Sequence, residues 1–206
     1  MHLDWSQVFG FLGGNWPEML GFLTGALCVW LLIKQNIWNW PIGIANNVFY
    51  IFVFFKSGLY ADMGLQLVYI AIALYGWWNW LHGGKDHSEL KAGRASSIGL
   101  LGYSAMAVFC TVALYWVLRR FTPSTVPFAD GLTTSLFLTA QYMMSRKIVE
   151  NWWFWIVGDV LVIALYIYKH LYFTTALYVI FLGLCIAGLV EWQKATRKAV
   201  VLAAGS

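Results

Sequence analysis

Apolar residues along this chain run in stretches long enough to cross a bilayer, and each stretch ends in a short polar or basic break. At about 20 residues per spanning helix, the pattern predicts seven spans: 17–33, 38–55, 59–81, 97–118, 128–145, 152–168 and 172–192. The breaks are Lys34-Gln35-Asn36, Lys56-Ser57-Gly58, a longer loop over 82–96, Arg119-Arg120 with Pro123, Arg146-Lys147, and Lys169-His170. Residues 1–15 are too polar and glycine-rich to span. Trp5, Phe9 and Leu12 there suit a short interfacial helix. No basic region precedes the first apolar run, so a cleaved signal peptide is not expected.

Composition turns that pattern into a class. The chain is 61% hydrophobic and 11% charged, where soluble domains carry roughly 25% charged residues. An all-α integral membrane protein follows, with no room in 206 residues for a soluble domain of ordinary size. The net charge of +4 sits in short loops, which reads as an orientation signal and not as nucleic-acid binding. Lys34, Lys85, Lys91, Arg94, Arg146, Lys147, Lys194, Arg197 and Lys198 fall on one side; Lys56, Arg119, Arg120 and Lys169 fall on the other. The positive-inside rule then puts the C-terminus in the cytoplasm and the N-terminus outside, in a bacterial cytoplasmic membrane. Cys28, Cys110 and Cys185 lie within apolar runs with no CxxC spacing and read as small apolar filler.

An internal repeat organises the spans. When the chain is slid along itself until Asn39-Trp40 falls on Asn151-Trp152, Ile44 falls on Ile156, Val48 on Val160 and Ile51 on Ile163. In the same register Leu59-Tyr60 falls on Leu171-Tyr172, Leu65 on Leu177, Gly76 on Gly188 and Trp80 on Trp192, all without a gap. Spans 1–3 and 5–7 are therefore copies, and span 4 is a connector that returns the second copy to the orientation of the first. The division is an N-terminal segment 1–15, a first three-helix repeat 16–81, a loop and connector 82–127, a second repeat 128–193 and a cytoplasmic tail 194–206. No role is assigned to 199–206. This 3+1+3 parallel-repeat plan is a known transporter architecture, with the site near the midplane between the copies.

Candidate chemistry centres on 151–159. On a helix Trp152, Trp155 and Asp159 share one face at i, i+3 and i+7. Asp159 is the one acid deep in a span, where a carboxylate is costly unless it faces a cavity or a partner. Aromatic planes above a carboxylate suit a flat cationic ligand. In the first copy Asn46 and Asn47 occupy the places of Gly158 and Asp159; Tyr50 follows Asn46 at i+4, and Asn47 points about 100° away. Gln66 and Tyr69 give span 3 a polar stripe, Tyr178 stands opposite Gln66 in the repeat, and Gln141 lies late in span 5. Trp77, Trp78 and Trp80 read as a cytoplasmic aromatic belt, and Trp152 and Trp153 could belong to the same belt. With no HExxH, GxSxG, P-loop or GxGxxG pattern, and no second acid, His or ligand set beside Asp159, neither an enzyme nor a metal or cofactor site is expected.

Three blocks resemble the PnuC family of bacterial vitamin transporters. They are Gly43 to Asn46 with the aromatic run after it; Leu59-Tyr60-Ala61 through Leu65-Gln66 to Tyr75-Gly76-Trp77 and Trp80; and Arg146-Lys147 with Glu150-Asn151-Trp152, Trp155 and Asp159. The resemblance implies a fold shared with SWEET sugar transporters and a homotrimer in the lipid bilayer. It also implies facilitated diffusion of nicotinamide riboside, a vitamin B3 precursor of NAD, trapped by a cytoplasmic nicotinamide riboside kinase without ion coupling. Trp155 would stack on the pyridinium, Asn46, Gln66 and Gln141 would bond amide or sugar, and Asp159 would accept from ribose or balance the cation. Thiamine or riboflavin as cargo, and a vitamin-binding subunit that needs an energising partner, are the alternatives.

Overall fold

The computed structural model describes residues 16–56, 58 and 60–204, and among them all regular structure is helical apart from one isolated bridge. Seven α-helices follow in order: α1 (Trp16–Ile33), α2 (Asn39–Lys56), α3 (Tyr60–His82), α4 (Ser97–Phe121), α5 (Pro127–Ser145), α6 (Asn151–Tyr168) and α7 (Tyr172–Ala204). The anticipated N-terminal interfacial helix lies outside the described residues. Six helices match the expected spans to within a few residues. The seventh runs on to Ala204, so the residues expected as a tail continue the helix.

Local chemistry sets the ends. Pro127 opens α5, where its missing N–H costs nothing. The Ser96 hydroxyl accepts from Gly99 N at 3.1 Å and caps α4, which stops short of Pro123. Gly83-Gly84 follow α3, after which Lys85–His87 form one 3-10 turn. Of the seven helices, three have a stretch long and apolar enough to cross a membrane by length and composition alone: Ser97–Phe121, Asn151–Tyr168 and Thr174–Lys198. Outward residues such as Ile98, Phe109 and Phe121 on α4 are large, apolar and exposed. The chain is a multi-pass membrane protein.

Helices pack in sequence as α1–α2–α3 and as α4–α5–α6–α7, and the two sets meet where α3 lies on α5 and α1 lies on α7. Local details recur in the register of the sequence repeat. Gln35 and Lys147 both adopt positive φ, 52° and 55°, in the α1–α2 and α5–α6 turns, as Gly58 and His170 do in the α2–α3 and α6–α7 turns. Asn39 Nδ2 donates to Asn36 O at 2.7 Å, and Asn151 Nδ2 donates to Ile148 O at 2.6 Å. Trp80 Nε1 donates to Met144 O at 3.1 Å, and Trp192 Nε1 donates to Leu32 O at 3.0 Å. Each of these indoles therefore ties one set to the other.

The core sits at this end of the bundle. Trp40, Trp80, Trp152 and Trp192 are all buried there, with edge-on contacts of 5.3 Å between Trp40 and Trp80 and 5.7 Å between Trp152 and Trp192. Trp77 and Trp78 are exposed as a belt would be, but Trp80 and Trp152 are not. The apolar drive and an indole N–H that finds a carbonyl place Trp80 inside.

The loop over 83–96 is held down, not free. Gly93 pairs with the α5–α6 turn, donating to Lys147 O at 3.0 Å and accepting from Val149 N at 2.9 Å. Lys147 Nζ donates to Leu90 O at 2.8 Å and lies 4.3 Å from the Trp80 ring centre, a cation–π contact. Burial lowers the pKa of this ammonium below its usual value, and Glu89 opposes that. The Glu150 carboxylate accepts from Ala95 N at 2.9 Å. The Arg-Lys-x-x-Glu-Asn-Trp block thus builds a clasp.

Candidate functional site

Helix α6 presents Asp159 inward, buried at 3% exposure. Cys185 on α7 hydrogen-bonds to it, its Sγ donating to Oδ2 at 3.4 Å. One turn earlier Trp155 stacks on Phe137 of α5, with ring centres 5.1 Å apart and planes 26° apart. Gly158 makes this possible, since a β-carbon there would fall against the Phe137 ring. Trp152 nests over Gly188 in the same way, as Trp40 does over Gly76.

The first copy is built differently. The Asn46 amide donates to Thr24 Oγ1 and lies 3.5 Å from Gly21 O. Tyr50, one turn on, packs against Gly21 and stacks on Phe54 at 5.7 Å. Tyr178 of α7 meets Tyr166 edge-on at 5.4 Å.

One cavity of about 370 Å³ joins these groups. Asn46, Tyr50, Gln66, Tyr69, Gln141, Trp152, Trp155, Asp159 and Tyr178 all line it, drawn from α2, α3, α5, α6 and α7. So do residues that the sequence did not single out for a site: Gly25, Cys28, Gly43, Phe137, Phe181 and Cys185. Asn47 lines it as well, despite its different angle from Asn46. Cys28 and Cys185 are therefore not filler but wall, and Cys185 is the carboxylate's hydrogen-bond donor.

The electrostatics of the wall are lopsided. Among the described residues that line the cavity there is one carboxylate and no Lys, Arg or His. No cluster of three or more His, Cys, Asp or Glu that could hold a metal ion occurs among the described residues. Three lining indoles, Trp40, Trp152 and Trp155, have a buried Nε1–H without a hydrogen-bond partner. A buried donor left unmet costs about 1–3 kcal/mol, so the cavity offers acceptor-seeking N–H groups at its aromatic side. Together these features favour a flat, positively charged ligand that carries hydrogen-bond acceptors.

Residues 15–194 match the nicotinamide mononucleotide transporter family. The chain belongs to that family. A relative from Escherichia coli, nicotinamide riboside transporter PnuC, is 27% identical over 209 residues, covering 89% of this chain and 87% of its own. Equally similar is the riboflavin/roseoflavin transporter RibM of Streptomyces davaonensis, 27% identical over 186 residues with the same coverage of both chains. Among solved structures, the crystal structure of the vitamin B3 transporter PnuC superposes with a TM-score of 0.72 at 27% identity, covering 94% of this chain and 87% of that one.

Proposed function

We propose that this family member carries nicotinamide riboside across the bacterial cytoplasmic membrane, with the cavity between the two three-helix sets as the substrate site. The observation that carries this reading is the Asp159 carboxylate, buried in a cavity that has no basic side chain among its described lining residues and beside the stacked Trp155–Phe137 pair. A pyridinium ring meets both needs, since it stacks on indole and offsets the carboxylate. Asn46, Gln66 and Gln141 supply amide groups for the carboxamide and the ribose, and Tyr50, Tyr69 and Tyr178 supply hydroxyls. Trp152 offers an indole N–H to the same ligand.

The family carries the name of the mononucleotide, whereas the Escherichia coli relative carries that of the riboside. A phosphate held in a cavity of low dielectric needs cationic partners. The lining offers none among the described residues, which favours the nucleoside. The Streptomyces relative keeps riboflavin as a second reading; a carboxylate with no basic side chain among the described lining residues argues for a cation over that neutral ring system.

The repeated contacts support a 3+1+3 parallel-repeat fold of the SWEET kind, α4 being the connector. Transport is then facilitated diffusion, with α1 and α2 joined on the cytoplasmic side and the C-terminus inside. Cytoplasmic phosphorylation traps the product. The exposed apolar face of α4 suits lipid or a neighbouring subunit of a homotrimer. The test is uptake of labelled nicotinamide riboside by liposomes that contain the purified chain alone. Equilibration without an ion gradient is the expected result; no uptake without a partner protein would overturn the carrier reading.

A further inference from the structure

The cavity has two unlike walls, and the repeat shows how they correspond. Phe137 and Trp155 form the stacked pair of the second copy. In the register that sets Asn39 on Asn151, Gly25 falls on Phe137 and Gly43 on Trp155, and both glycines also line the cavity. An aromatic pair in one copy therefore corresponds to a glycine pair in the other. The neighbouring position differs too. Gly158, under Phe137, corresponds to Asn46, whose amide is engaged with Thr24 and Gly21.

Space at the two glycines is not required by protein packing. Among the described residues, a β-carbon on Gly43 would meet only Cys28 Sγ at 3.9 Å, and one on Gly25 only Phe181 Cζ at 3.6 Å, both ordinary van der Waals distances. Gly76 and Gly188 differ, since their β-carbons would enter the Trp40 and Trp152 rings. Glycine inside a helix is less favourable than alanine. At Gly25 and Gly43 this cost is carried although the protein has room for a methyl group. The buried, unpartnered Nε1–H of Trp155 is an independent sign that a ligand group belongs in the space beside the aromatic wall.

We propose that Gly25 and Gly43 are specificity-determining residues: their missing side chains leave a slot against the Phe137–Trp155 wall that admits the flat ring of a nucleoside-like cation. The ring stacks on the second copy, and the polar remainder of the ligand points toward the Asn46 amide of the first. The two copies thus fix the direction in which an asymmetric ligand lies. This inference rests on the proposed transport cavity.

The test is isothermal titration of detergent-purified protein with nicotinamide riboside. It compares wild type with Gly43→Ala, Gly43→Val and Gly25→Ala. Gly183→Ala serves as control, because among the described residues a β-carbon there meets nothing within 4 Å and Gly183 is not part of the lining. The slot predicts at least a tenfold loss of affinity for Gly43→Val and a smaller loss for the two alanine variants. The alanine variants keep or raise the thermal midpoint, and Gly183→Ala binds as wild type. Loss of binding with undiminished stability separates a blocked slot from a damaged fold. Wild-type affinity in all three slot variants overturns the inference while leaving the cavity assignment intact. A wild-type protein that fails to bind nicotinamide riboside overturns the functional reading and the slot with it.

Discussion

Trp152 and Gly188 fit so closely that a β-carbon on the glycine would enter the indole ring, and Trp40 with Gly76 repeats the arrangement at the equivalent positions of the first copy. Alanine at Gly188 must displace a large buried ring, Trp152 being 1% exposed. Overpacking of this kind costs about 1–3 kcal/mol. The thermal midpoint of Gly188→Ala should fall clearly below that of wild type, and that of Gly183→Ala should not. Equal midpoints would mean that the Trp152 ring can move aside.

Trp80 and Trp40 lie in the same core, yet only Trp80 has its N–H bonded, to Met144 O. Replacing either by Phe removes the same ring volume, so the difference between the two variants reports what Trp80 alone makes, its N–H bond to Met144 O together with any change in the Lys147 cation–π contact. Trp80→Phe should be less stable than Trp40→Phe by about 0.5–1.5 kcal/mol. Denaturation midpoints of the two variants measure this, and the reverse order would contradict the bond between the halves.

Lys147 clamps the loop over 83–96 through Leu90 O and the Trp80 ring, from a backbone position with positive φ. Lys147→Met keeps the aliphatic stem but removes the charge. A hydrogen bond to a charged group contributes about 1.5–3 kcal/mol. Limited proteolysis should therefore cut this loop several-fold faster in the variant, with helix content unchanged by circular dichroism. An unaltered cleavage rate would show that the backbone pairing of Gly93 with the α5–α6 turn holds the loop unaided.

Much of the fold was legible because membrane spans are written in long apolar runs, and contacts such as the Trp80 and Trp192 indole bonds recur in the register of the sequence repeat. Polar residues stood out for the same reason: Asp159, Asn46 and Gln66 are conspicuous against an apolar background, and the cavity gathers them. Apolar wall residues carry no such mark. Phe137 looks like any aromatic on a membrane helix until Gly158 and Trp155 of α6 are seen packed against it. Gly25 and Gly43 matter through side chains that they lack. Trp80 misled because a tryptophan near a span end suits an interfacial belt as well as a buried hydrogen bond, and only the partner carbonyl on α5 separates the two.

On the proposed reading, Asp159 is the group that selects the ligand's charge. Asp159→Asn keeps the shape and a polar contact for Cys185 but removes the counter-charge. A charge pair in a site shielded from water is worth at least about 1.4 kcal/mol, a tenfold change in affinity. Isothermal titration of wild type and Asp159→Asn with nicotinamide riboside, nicotinamide mononucleotide and riboflavin is the measurement that tests the functional reading most directly. Binding of nicotinamide riboside in preference to the other two, weakened at least tenfold by Asp159→Asn, is the predicted result. Preferred binding of riboflavin, or nicotinamide riboside affinity untouched by the loss of the carboxylate, would contradict it.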